Sequence, residues 1–136
     1  MATYSALYPL WKQSRLSQSP SIDMSADTIK LGLVNLSTDY TYSAAHQYVS
    51  SVTRYASTTD QTLTSKTVTD GVFACANATF AAVNVSGSKP VQALILYKST
   101  GTDSTSPLIA LIVLPLSVLP DGRDIIVSAL SGLIVL

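Results

Sequence analysis

The stretch Gln92-Ala-Leu-Ile-Leu-Tyr-Lys98 sets five consecutive apolar residues between two polar ones. A strand with one face in water alternates apolar and polar residues. An unbroken run of this length, bounded by turn signals, predicts a strand covered on both faces at the centre of a sheet. Ser86-Gly87-Ser88 supplies the turn before it, and the polar residues 99–107 the loop after it. Outward from there, residues 108–114 read as a second buried strand, which Pro115 and Pro120 are expected to close. On the other side, Thr28-Ile-Lys-Leu-Gly-Leu-Val-Asn-Leu36 puts Ile29, Leu31 and Leu33 on one face and Lys30 and Gly32 on the other, the period of a half-buried strand. Residues 62–68, 72–76, 78–85, 125–129 and 133–136 read as further short strands, with tight turns at Asp70-Gly71 and Asp121-Gly122. A helix is expected over 43–52, where Ser43 is an N-cap residue and Ala44, Ala45, Tyr48, Val49 and Val52 recur at helical spacing. The expected architecture is mainly β: an antiparallel β-sandwich or small jelly-roll-like barrel with one short helix and an N-terminal arm.

Residues 1–21 differ from the rest and are read as an arm and linker, with 22–136 as a single β-domain. The arm holds the only tryptophan, Trp11, together with Tyr4, Leu7, Tyr8, Leu10 and Leu16. Part of it can form a short helix after Pro9, and residues 14–21 read as a polar linker. Two placements stay open: an arm folded back on its own domain, or one that reaches a neighbouring subunit. Large aromatic and aliphatic side chains anchor either contact, which makes Tyr4, Leu7, Tyr8, Leu10 and Trp11 the candidate partner-binding residues.

Composition narrows the function. Of 136 residues, 47% are hydrophobic and only 12% charged. Soluble domains ordinarily carry about twice that charge. Such a surface suits a protein covered by partners, among them further copies of itself in a dimer or trimer. Eight basic and eight acidic residues cancel. No basic stripe is available for phosphates or an anionic membrane surface, so neither nucleic acid nor membrane is an expected partner. The two longest apolar runs are interrupted and too short to span a bilayer as helices. No signal-peptide pattern opens the chain, and a single cysteine, Cys75, makes no internal disulfide; both fit assembly in a reducing cytoplasm.

Motifs for chemistry are sparse. Cys75 and the lone His46 are too few for a zinc site, and neither a nucleophile elbow nor a phosphate loop occurs. All eight acids are aspartates. Asp27, Asp39, Asp70, Asp103 and Asp121 stand at turn or cap positions, where Asp serves the backbone. His46 has no carboxylate or nucleophile beside it in sequence. The chain is therefore expected to be non-enzymatic, without cofactor or metal. Three Asn-x-Ser/Thr triplets, at Asn35, Asn77 and Asn84, are chance matches in a chain that is about a quarter Ser and Thr.

Three blocks together carry a resemblance: Ser25-Ala-Asp-Thr-Ile-Lys-Leu-Gly-Leu-Val34, Lys66-Thr-Val-Thr-Asp-Gly-Val72, and Ala93-Leu-Ile-Leu-Tyr-Lys-Ser-Thr-Gly-Thr-Asp-Ser-Thr-Ser-Pro-Leu-Ile-Ala110. They resemble a family of small virion structural proteins of tailed bacteriophages, over residues 22–110, with the last block the most specific. The C-terminus departs from that pattern, ending Ser131-Gly-Leu-Ile-Val-Leu136 rather than in a polar, tryptophan-containing segment. The resemblance implies a virion role and supplies no catalytic residues. Combined with the composition, it leads to the expectation of a capsid decoration or cement protein on the exterior of the head, bound to the major capsid protein and assembled in the bacterial cytoplasm. A tail, neck or baseplate position is one alternative. A carbohydrate- or receptor-binding module using Tyr40, Tyr42, Tyr48 and Tyr55 is another.

Overall fold

The computed structural model describes residues 5–56, 58–128 and 134–135. In chain order the elements are β1 (Ala6–Leu7), α1 (Pro9–Ser17), β2 (Ile29–Val34), β3 (Gln61–Thr62), β4 (Thr67–Thr69), β5 (Val72–Ala74), β6 (Ala78–Phe80), β7 (Val91–Lys98), β8 (Leu108–Val118), β9 (Ile125–Val127) and β10 (Ile134–Val135). An antiparallel five-stranded sheet runs β1-β8-β7-β2-β3, with β7 at its centre as its apolar run requires. Two smaller antiparallel sheets, β10-β5-β4 and β6-β9, complete a sandwich-like arrangement. The sheets are not closed into a barrel.

The large sheet is buried on both faces. Ile29, Leu31, Leu33, Leu94, Leu96 and Ile109 point into one core, which they share with Phe73, Phe80, Tyr55, Leu63 and Trp11. Ala93, Ile95, Tyr97, Leu108 and Leu111 point into a second core, closed by Leu36, Tyr40, Val49 and Val52 from the long connection after β2. The smaller sheets thus cover one face and an irregular loop the other. Tyr55 ties that loop to the 86–89 turn: its hydroxyl donates to the Lys89 carbonyl at 2.6 Å and accepts from the Ser86 amide at 2.9 Å. Tyr55 is 1% exposed. Tyr55→Phe leaves both partners short of a bond and is expected to cost about 1–3 kcal/mol, read as a lowered urea midpoint at unchanged slope.

Turn chemistry follows the sequence at the β4–β5 hairpin, where Asp70 (φ 52°) and Gly71 (φ 78°) form the two left-handed positions of a tight turn. The expected strand 62–68 splits into β3 and β4, with Ser65 at φ 52° turning the chain from the large sheet to the small one. Of the expected strands 125–129 and 133–136, the structure forms β9 and β10, and residues 129, 133 and 136 lie outside the described residues.

Two expectations are corrected. No α-helix forms over 43–52; only Val49–Ser51 make a single 3₁₀ turn. The backbone there is spent elsewhere: the Val49 amide donates to the Ser106 carbonyl, the Leu108 amide to the Gln47 carbonyl, and Tyr48 bridges Pro107. Pairing beside the entry of β8 outweighs the weak helix preference of a Ser-, Tyr- and Val-rich segment. Nor does Pro115 close β8, which continues to Val118. Ala93 faces Val113 but Val91 faces Val118, so β8 bulges between them. Proline is tolerated at such a bulge because no ladder bond is asked of its nitrogen.

The one described α-helix is α1. Pro9 occupies its first turn and Gln18 its left-handed C-cap. The N-terminal segment folds back: Ala6 and Leu7 pair with Leu111 and Ala110, and the Tyr8 amide donates to the Ile109 carbonyl at 2.9 Å. The boundary drawn at residue 21 is not a structural one, since Trp11 and Ile22 belong to one core. Large apolar side chains close to β8 are better buried against it than left in water.

Candidate functional site

The N-terminal candidates divide by burial. Tyr8 (0% exposed) sits in the second core and Trp11 (2%) in the first, so neither ring is free to anchor a partner. Leu7 is half-buried against the first core and Leu10 is half-buried on α1. Tyr4 lies outside the described residues. Burial pushes the Tyr8 phenol well above its ordinary range, aided by the Tyr40 hydroxyl at 2.7 Å. Tyr40 in turn meets His46 Nδ1 at 2.8 Å, which accounts for the only histidine as the surface end of a tyrosine pair. Of the other tyrosines considered for sugar binding, Tyr40 and Tyr55 are buried and Tyr42 and Tyr48 half-buried. Cys75 is half-buried, and burial pushes its thiol up.

The aspartates hold backbone and cations. Asp27 pairs with Lys98 at 3.0 Å, Asp39 with Lys89 at 2.7 Å, and Asp121 accepts from the Arg123 amide at 3.2 Å. Arg54 is the hub of a charged cluster. Its Nε meets Asp60 at 3.1 Å, its Nη2 meets Asp103 at 2.6 Å, and its Nη1 donates to the Val49 carbonyl at 3.1 Å. Tyr97 donates to Asp60, and the guanidinium stands 5.8 Å from the Tyr97 ring. The cluster ties the second-core loop to β7 and sets one cation between two carboxylates. Nothing in the sequence announced it, because its members are spread over fifty residues. Among the described residues no group of three His, Cys or Asp side chains is placed to hold a metal ion.

One outward stretch is apolar. Beyond Leu111 the outer side of β8 carries no strand partner among the described residues; the Val113 amide is met by the Ser5 hydroxyl at 3.0 Å. From this point β8 and the residue after it present Leu116 (81% exposed), Val118 and Leu119. No charged residue occurs from Ser104 to Pro120. Edges of sheets in free-standing proteins are ordinarily guarded by charge, by proline or by bulges, and this stretch of β8 has Pro115 and a bulge but no charge. Exposed apolar patches on a folded domain commonly mark association surfaces or ligand grooves. Sequence reasoning ended the buried strand at residue 114 and gave Leu116, Val118 and Leu119 no role, so it missed the exposed tip.

No family model and no curated protein matches the chain.

Proposed function

We propose that the chain is a non-enzymatic structural protein of a tailed-phage particle, a capsid decoration or cement protein that lies against the major capsid protein shell. The observation that carries the association is the uncharged outer rim of β8, with Leu116 and Leu119 held out from a well-filled double core. The phage setting rests on the resemblance of the three sequence blocks. Low charge over the whole chain supports a surface that ends up covered. The docking residues differ from those the sequence favoured: Leu116, Val118 and Leu119 take the place of Tyr8 and Trp11, which the domain uses for itself.

Burying one leucine side chain contributes about 1.5–3 kcal/mol. Leu116→Lys is therefore expected to weaken binding to heads about tenfold or more while shifting the unfolding free energy by only about 0.5 kcal/mol. Purified variant and wild-type protein added to heads lacking the chain give the comparison. Full occupancy by Leu116→Lys would remove the rim from the interface.

A further inference from the structure

We propose that the Ser5 hydroxyl and Pro115 close the outer edge of β8 to an added strand, so that the apolar rim meets its partner through side chains alone. In an antiparallel ladder, successive residues turn their backbone N–H and C=O groups to opposite sides. The Tyr8 amide donates to the Ile109 carbonyl at 2.9 Å, and Ala6 faces Leu111. Ala110 and Ile112 face Leu96 and Leu94 of β7. The odd-numbered residues of this part of β8 therefore point outward, and the next two are Val113 and Pro115.

Neither offers a free donor. The Val113 N–H donates to Ser5 Oγ at 3.0 Å, a bond that a continued ladder would give to a backbone carbonyl. A side chain thus stands in the place of a partner strand, one step beyond β1. Pro115 has no N–H at all. Strand addition draws its affinity from main-chain bonds, and here two successive ones cannot form. The guard answers a specific hazard. β8 is 11 residues long, Leu116 on it is 81% exposed, and no charged residue occurs from Ser104 to Pro120. A long, uncharged, apolar edge is a template on which like chains pair. The occupant kept out is a second copy of β8, antiparallel about a two-fold axis. That the rim docks at all rests on the function proposed above; the closed edge does not, and it is testable in the isolated chain.

The full chain carrying Ser5→Ala and Pro115→Thr regains both outward donors. In sedimentation equilibrium over a concentration series, its average mass is expected to rise to twice that of the wild type at the same concentration. Hydrogen exchange is expected to slow at the amides of positions 113 and 115 in the associated form. Adding Ser117→Lys puts charge on the opened edge and is expected to restore the wild-type mass. A folded double variant that keeps the wild-type mass throughout would overturn the proposal, as would association that leaves the amides at 113 and 115 exchanging as fast as in dilute protein. Should the double variant not fold, Ser5→Ala alone decides. It changes an exposed residue and frees one donor, so weaker association with slowed exchange at 113 is expected, and the wild-type mass at every concentration contradicts the proposal.

Discussion

Trp11→Ala is expected to destabilise the domain by about 3–5 kcal/mol, the range for removing a large aromatic side chain from a core. Whole domains hold only about 5–15 kcal/mol. The variant should therefore lose a large part of its urea midpoint, followed by far-ultraviolet circular dichroism because the substitution removes the only tryptophan. The reasoning is local. Trp11 is 2% exposed and packs in one core with Ile22, Met24 and Phe73, so it joins the N-terminal helix to the body of the sandwich. Leu16 on the same helix is 90% exposed and supplies the control. Leu16→Ala should stay within about 0.5 kcal/mol of wild type. Equal, small effects at both positions would mean that the helix is a detachable arm after all.

The second large effect is expected at Gly32. A Cβ built there would lie 2.7 Å from Asp60 Oδ1, 2.9 Å from Arg54 Cγ and 3.1 Å from Ile95 Cγ2. These atoms cannot simply swing away, because Asp60 is held by Arg54 at 3.1 Å and by the Tyr97 hydroxyl. Gly32→Ala should cost about 1–3 kcal/mol through overpacking. The cost should shrink in an Asp60→Ala background, with a coupling of about 0.5–3 kcal/mol in a double-mutant cycle. Strict additivity of the two substitutions would place the cost of Gly32→Ala elsewhere than in this contact. The glycine matters here as room for the Arg54 cluster to lie flat on β2, the link between the long loop and the large sheet.

Much of the sheet was legible in the sequence. The unbroken run of β7 reports burial directly, and β7 and β2 both stand within a residue or two of where their patterns put them, although β2, expected to be half-buried, has Gly32 and Val34 buried as well. The Asp70-Gly71 turn was equally plain, since few residue pairs accept two positive φ angles in succession. What failed to show were features set by distant partners. Residues 43–52 carry a helical apolar pattern, but Gln47, Tyr48 and Val49 pair with the chain entering β8. Pro115 looked like a terminator because the bulge that absorbs it depends on the register between β7 and β8. The aromatic N-terminus looked separable because its polar linker is read locally, whereas its burial is decided by the outer edge of β8. The candidate site was least legible of all. An apolar run gives no sign of which of its members face solvent.

The copy number of this chain in purified particles, measured by quantitative mass spectrometry against the major capsid protein and mapped in a reconstruction, tests the proposal of a capsid decoration protein most directly. The account predicts on the order of hundreds of copies on the outside of the head, following the shell's own symmetry, with the β8 rim turned toward capsid subunits. Between about six and a few dozen copies, confined to the tail, neck or baseplate, or none in the particle, would contradict it.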